Sequence, residues 1–206
     1  MSKLAGKIAV VTGASAGIGR GIATHFVHEG ARVFITGRNQ AGLDKAVAEI
    51  GGPISAVRGD ASNLADIDRI YQAVGAQAGR IDVLVVNAGF YEVGTFGEIT
   101  EEHFDKTFNT NVRGVLFAVQ KALPLLGKGS SVILIGSVAS IKGFPSFSVY
   151  DATKAAVRSF ARSWILDLKG RDIRINVLIP SRTLGVSRLP PASAALPLPA
   201  AADTQR

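Results

Sequence analysis

The sequence predicts an α/β fold: a doubly wound, mostly parallel sheet of six strands with helices on both faces. Three observations carry that expectation. Short apolar runs alternate from end to end with segments whose apolar residues recur at helical spacing. One run, Val83-Leu84-Val85-Val86, is continuously apolar, as suits a strand buried on both faces of a parallel sheet. The chain of 206 residues, 47% hydrophobic and with 23 glycines, has the size and composition of one packed domain. That domain is expected over residues 1–180, followed by a Pro/Ala-rich tail over 181–206 with little reason to pack.

Lys7 to Thr12 reads as the first strand. Gly13-Ala14-Ser15-Ala16-Gly17-Ile18-Gly19 follows at once, and Ile18, Ile22, Phe26 and Val27 then mark a helix up to Gly30. In a strand, glycine turn and helix, the backbone can approach a pyrophosphate closely and set it on the helix N-terminus, where free N–H groups favour negative charge. A P-loop would need Lys-Ser/Thr after its last glycine, but Arg20-Gly21 stands there. Dinucleotide binding through Gly13, Ser15, Gly17, Ile18 and Gly19 is therefore favoured over a turn that merely packs a helix on a strand.

Arg32 to Thr36 is the second strand, with Gly37-Arg38-Asn39 at its end. An acid in that loop would accept hydrogen bonds from the adenosine ribose of NAD, whereas an arginine suits the 2′-phosphate of NADP. No acid stands there, so Arg38 points to NADP, with NAD the less favoured cofactor. Leu43 to Ile50 is the next helix, ended by Gly51-Gly52-Pro53, and Ile54 to Val57 is the third strand, with Asp60-Ala61 just beyond it. A helix over Leu64 to Val74 precedes the fourth strand, which ends in Asn87-Ala88-Gly89. Phe104 to Leu126 has helical spacing interrupted near Asn111. Val132 to Ile135 is the fifth strand and delivers Ser137, a helix carries Tyr150 on to about Leu168, and Ile173 to Ile179 is the sixth strand. Ligands of such sheets bind outside the carboxyl ends of the strands, where Gly13, Arg38, Asp60, Ala61, Asn87, Ala88, Gly89 and Ser137 all fall.

Tyr150-Asp151-Ala152-Thr153-Lys154 sets a phenol and an ammonium at i and i+4, on one face of a helix. The cation can favour the phenolate, which makes Tyr150 a candidate general acid or base, with Ser137 holding the reacting oxygen opposite it. Alone, the pair is also an ordinary amphipathic helix pair; its coincidence with the other motifs at one sheet edge is what selects the catalytic reading.

Composition excludes several classes. Without cysteine there are no disulfides, thiolate chemistry or cysteine-ligated zinc, which suits a cytoplasmic location. No apolar run approaches the length of a spanning helix, so no membrane role is expected. The net charge of +7 is spread, with no block of like charges, and nucleic acid is not an expected partner. His25 and His28 share a helix face but have no carboxylate cluster beside them, so no metal is expected.

Taken together, Thr12-Gly13-x3-Gly17-x-Gly19, Asp60, Asn87-Ala88-Gly89, Asn111, Ser137 and Tyr150-x3-Lys154 resemble, in order and spacing, the short-chain dehydrogenases/reductases, a family with a Rossmann-type sheet. The resemblance runs from about Leu4 to Pro180. It implies NAD(P)-dependent hydride transfer on a small carbonyl or alcohol substrate. Tyr150 would be the proton donor and acceptor, Ser137 the holder of the substrate oxygen, and Lys154 the residue that binds the nicotinamide ribose and lowers the Tyr150 pKa. Asn111 would hold a water linking Lys154 to solvent, Asp60 would meet the adenine, and Asn87 would line the cleft and brace the central strands.

The departure comes after Pro180. The family continues with Pro-Gly, a nearby threonine, a substrate-covering segment, another helix and a seventh strand. Here Ser181-Arg182-Thr183 follows, and Pro190, Pro191, Pro197 and Pro199 interrupt an Ala/Ser-rich stretch, so the usual seventh strand and lid are expected to be missing, as in a truncated or altered C-terminus. Two readings stay open: an NADP-preferring enzyme, or a cofactor-binding protein with little or no turnover. The resemblance also implies a homodimer through helices bearing Val112, Val115, Leu116, Val119 and Leu123 and Val157, Phe160 and Trp164, with a tetramer doubtful.

Overall fold

The computed structural model describes residues 2–180. The proline-rich stretch and the lid and seventh-strand expectations attached to it lie outside the described residues. Six strands form one sheet in the order β3-β2-β1-β4-β5-β6, every neighbouring pair parallel. They are β1 (Ile8–Val11), β2 (Arg32–Gly37), β3 (Ile54–Arg58), β4 (Ile81–Val86), β5 (Leu126–Ile135) and β6 (Arg174–Leu178). The helices are α1 (Gly17–His28), α2 (Gln40–Ile50), α3 (Leu64–Ala78), α4 (Glu101–Phe108), α5 (Gly114–Ala122) and α6 (Ser148–Asp167). The chain winds outward from β1 to β3, then crosses back to lay β4 beside β1. The sense of winding reverses there, and that reversal opens a crevice at the carboxyl ends of the strands.

Residue parity within the strands assigns the two faces. Val10, Phe34, Leu84, Val132 and Leu134 pack on α3, α5 and α6 through Ile67, Ile70, Val74, Val115, Val119 and Val157. Ala9, Val11, Val33, Ile35 and Val85 pack on α1 and α2 through Ala23, Leu43 and Ala46. Phe34 is fully buried, and burial of each such side chain contributes about 1.5–3 kcal/mol. The dimer expectation is corrected in part by this core: Val115, Val119 and Val157 are buried within the protomer and are not available to a partner.

Both boundaries of the fourth helical segment differ from the sequence expectation. The fourth helical segment starts at Glu101, because the Thr100 side chain caps it by accepting from the His103 N–H at 3.1 Å. It ends at Ala122, not Leu126: Pro124 cannot continue a helix, and Leu126 already pairs with Ile81 of β4. The interruption near Asn111 is a π-turn over Asn109–Arg113 between α4 and α5.

Candidate active site

The glycine turn after β1 is shaped first by the protein itself. Gly13 has φ +64°, and a Cβ there would come within 2.7 Å of the Ala88 Cα. A Cβ at Gly19 would stand 2.5 Å from the Asn87 Nδ2. The end of β4 is thus pressed against the turn, and Asn87 stitches the two. Its Nδ2 donates to the Thr12 and Gly13 carbonyls at 3.0 and 2.9 Å, while the backbone N–H groups of Asn87 and Ala88 both donate to the Thr12 Oγ1 at 3.0 Å.

An open groove runs over this stitch. Of the residues expected at a cofactor, Gly13, Ser15, Arg38, Asp60, Ala61, Asn87, Ala88 and Gly89 line it; Gly17, Ile18 and Gly19 stand at the start of α1 behind it. Side chains cap α2, α3 and α4, from Asn39, Asn63 and Thr100, but α1 begins at Ala16 with no side-chain cap and no acid in its first turn. Its leading N–H groups therefore suit an anionic ligand, such as the phosphates of a dinucleotide.

The end of the groove at Arg38 and Asp60 contains a chain of hydrogen bonds. The Asp60 N–H donates to the Asp66 carboxylate at 2.8 Å, Arg69 pairs with Asp66 at 2.7 Å and donates to the Arg58 carbonyl at 3.0 Å, and the Arg58 Nε donates to the Arg38 carbonyl at 3.1 Å. The Asp60 backbone bond and Arg69 hold the Asp66 carboxyl below its usual range. Asp60 itself accepts from the Ser62 N–H and hydroxyl, at 2.8 and 2.7 Å. Arg58 was not singled out by the sequence. Its side chain meets the Arg38 loop only because β2 and β3 pair in register, Gly37 against Arg58.

At the other end, Ser137 follows β5 and Tyr150 lies in the first turn of α6, with Phe90 and Tyr91 nearby from the segment after β4. The Ser137 hydroxyl lies beside the Tyr150 phenol, and its Oγ accepts from the Ala139 N–H at 3.1 Å. Lys154 is buried, 5.6 Å from the centre of the Tyr150 ring, and donates to the Ile135 carbonyl at 2.9 Å. Burial draws its pKa down to about 8.

One sequence expectation is corrected here. Tyr150 sits above the ordinary tyrosine range, because burial outweighs the lowering effect of the neighbouring Ser137 hydroxyl and the Asp151 and Tyr91 charges add to the rise, while the Lys154 ammonium donates to the Ile135 carbonyl. The Asn111 amide is engaged on both sides: Nδ2 donates to the Phe90 carbonyl at 2.7 Å and the Thr153 Oγ1 at 3.1 Å, and Oδ1 accepts from the Phe90 N–H at 2.8 Å. It is a bracket between the segment after β4 and α6.

Sequence reading also missed the aromatic residues around Tyr150. Tyr91 and Phe147 approach its ring at 6.2 and 6.1 Å, and they come from segments with no periodicity to reveal them. Thr36, Gly37, Gly59, Phe90 and Thr110 complete the groove and were likewise unmarked, Thr110 because it lies in the π-turn. His25 and His28 are exposed on α1, and among the described residues no cluster of His or acidic side chains could hold a metal. No helix among the described residues is long and apolar enough to cross a membrane.

Comparison with known proteins agrees with this geometry. Residues 7–188 match the family model described as short chain dehydrogenase. Oxidoreductase asL5 of Sarocladium schorii is 47% identical over 183 residues, 88% of this chain and 74% of that protein. Elsinochrome reductase 1 of Elsinoe fawcettii is 34% identical over 184 residues, covering 87% and 69%. Among solved structures, a dehydrogenase/reductase from Sinorhizobium meliloti 1021 superposes with a TM-score of 0.83 at 35% identity, over 86% of this chain and 72% of that one. A short chain dehydrogenase/reductase from Burkholderia phymatum in complex with NAD gives 0.83 at 28%, over 87% and 67%.

Proposed function

The chain belongs to the short-chain dehydrogenase family, whose reaction is NAD(P)-dependent oxidoreduction, and from that premise we propose that it reduces a carbonyl to an alcohol with NADPH, or runs the reverse reaction. The observation that carries this reading is the meeting of Ser137, Tyr150 and Lys154, with the Lys154 ammonium close to Gly89 of the groove. Bound nicotinamide supplies the hydride chemistry. Tyr150, kept protonated by burial, donates its phenolic proton to the substrate oxygen, while Ser137 holds that oxygen by a second hydrogen bond. Lys154 is the positioning cation: its charge stabilises the phenolate left behind, and its reach toward Gly89 places it along the ribose side of the groove. Gly13, Ser15, Gly17, Ile18 and Gly19 take the pyrophosphate, and Asp60, Ala61, Asn87, Ala88 and Gly89 line the rest of the cofactor.

NADP is favoured over NAD by Arg38, supported by the Arg58 guanidinium beside its carbonyl. The reductive direction is supported by the Elsinoe fawcettii relative being a reductase by name. Absence of cysteine suits a cytoplasmic site of action. A second reading is cofactor binding with little or no turnover, supported by the departure of Ser181-Arg182-Thr183 from the Pro-Gly that the family carries after its sixth strand.

NADPH fluorescence titration combined with a turnover assay on the parent and on Tyr150→Phe tests the proposal. The expected result is NADPH binding in both and turnover in the parent alone. Parental rates in Tyr150→Phe would remove Tyr150 from its role, and binding without turnover in the parent would select the second reading.

A further inference from the structure

The phenol of Tyr150 opens onto aromatic surface. Tyr91 and Phe147 stack at 6.2 Å with their planes 22° apart, and each meets the Tyr150 ring nearly edge-on, at 71° and 76°. Phe144 adds an edge to Phe147 at 6.5 Å. Tyr91 and Phe144 are 42% and 39% exposed, so the surface is open on its outer side.

The backbone carrying these rings is tied down. The Gly94 N–H donates to the Ser146 carbonyl at 2.9 Å, which joins the segment after β4 to the loop before α6. The Phe144 N–H donates to the Asp151 carboxylate at 3.1 Å, and the Asp151 N–H to the Phe147 carbonyl at 2.8 Å. Ser146 is held at φ +62°, in the left-handed region that only a well-determined loop imposes on a serine. The rings are therefore preorganised.

What the surface lacks is as informative as what it offers. Besides the Ser137 and Tyr150 hydroxyls, only the Tyr91 phenol can hydrogen-bond from these rings, too few partners for a polyol whose hydroxyls would be left unpaired. The nearest cations are engaged elsewhere: Lys154 with Ile135, and Lys106 with Glu92 and the Phe90 ring. Lys142 lies over Phe144, not over Tyr150. A carboxylate or phosphate on the substrate has no counter-charge beside the reacting oxygen among the described residues.

We propose that the site selects a planar aromatic ketone, or the matching benzylic alcohol, packed against Tyr91 and Phe147 with its oxygen at Ser137 and Tyr150. This rests on the acid–base assignment above. Stacked rings at 6.2 Å leave no space for a third between them, since two carbon contacts need roughly 7 Å, so the substrate lies on their outer faces and edges. In reduction the carbonyl carbon gains a hydride from the reduced nicotinamide, the C=O π bond breaks, and its oxygen takes the Tyr150 proton. The benzylic alcohol leaves with oxidised cofactor, and the phenolate regains its proton from solvent. The substrate's arene is untouched.

The test compares 1-tetralone with 1-decalone, which share a ten-carbon bicyclic skeleton but differ in aromaticity. Each is titrated calorimetrically into the full chain, with and without saturating NADPH, and then into Tyr91→Leu and Phe147→Leu, whose folding is checked by circular dichroism. Tetralone is expected to bind about tenfold more tightly, and each substitution to cut that preference about five- to tenfold. Equal affinities for the two ketones, binding of neither, or a preference that both substitutions leave unchanged would overturn the inference. NADPH titrated alone reports separately: no cofactor binding defeats the cofactor reading, whereas NADPH binding without arene preference defeats only this one.

Discussion

Asn111 and Thr153, 42 residues apart, meet through a 3.1 Å hydrogen bond from the Asn111 Nδ2 to the Thr153 Oγ1, and that hydroxyl in turn donates to the Tyr150 carbonyl at 2.7 Å. The same asparagine brackets the Phe90 N–H and carbonyl. The proposed proton donor and the segment carrying Tyr91 are thus fixed by one buried side chain. Replacing it by alanine leaves up to three polar groups without that partner, each worth about 1–3 kcal/mol when unsatisfied. Asn111→Ala is expected to lower stability by about 2–4 kcal/mol in urea unfolding, with an unchanged m-value. A loss below about 0.5 kcal/mol would show that the bracket carries little.

The lowered pKa of Lys154 has a signed consequence. Burial holds it at about 8 in the folded chain, against 10.5 for an ordinary solvated lysine. Between those pH values the unfolded chain binds more protons, so stability rises with pH across the window. Below about 8 both states are charged, and the full cost of burying the charge is present. Tyr150, raised above the ordinary tyrosine range, stays protonated through neutrality. Carbonyl reduction is therefore expected to hold level up to about pH 8 and to fall above it as Lys154 loses its charge. Lys154→Arg should push the falling limb to higher pH, because a guanidinium remains charged. A limb at the same pH in that variant would assign it to another group.

Cofactor choice is expected to follow Arg38 and Arg58 together. Arg38→Asp should lower NADPH affinity and narrow or reverse the gap to NADH. Arg58→Ala should weaken NADPH by about tenfold while leaving NADH little changed, the scale of one charge-assisted phosphate contact. Equal NADPH and NADH affinities in the parent, measured by fluorescence titration, would contradict the assignment.

How much of this was legible in the sequence depends on the kind of signal. The fold was, because a parallel sheet needs apolar strands alternating with amphipathic helices, and both periodicities stand in the chain from Ile8 to Leu178. The residues at strand ends were legible too, since Gly13, Asn87 and Ser137 take their places from strand register. Arg58 was not, because its meeting with Arg38 is a cross-strand relation between polar residues with no pattern of their own. Tyr91 and Phe147 were not, because they lie in irregular segments joined only by a Gly94 to Ser146 hydrogen bond. The direction of the Tyr150 shift was misread from spacing: i,i+4 placement puts Lys154 on the right face but does not say that its ammonium turns to Ile135.

Assembly supplies the last prediction. With Val115, Val119 and Val157 taken up by the core, α5 and α6 still present Leu116, Phe117, Leu123 and the Phe160–Trp164 stack, its rings 4.9 Å apart and 8° from parallel, as partly buried surface. Ile165 and Leu166 continue it, Leu166 at 74% exposure. Apolar side chains left partly exposed on these helices favour a partner, and a second copy of the same chain can supply a self-complementary one. Trp164 is the only tryptophan, so its emission reports on this face alone. A homodimer is expected by light scattering at micromolar concentration, with Trp164 emission shifting to the red on dilution as its ring meets water. Phe160→Glu should give a monomer whose emission is already red-shifted at high concentration, because a carboxylate cannot be buried there unpaired. A parent protein that scatters as a monomer throughout would place these side chains at an ordinary exposed surface.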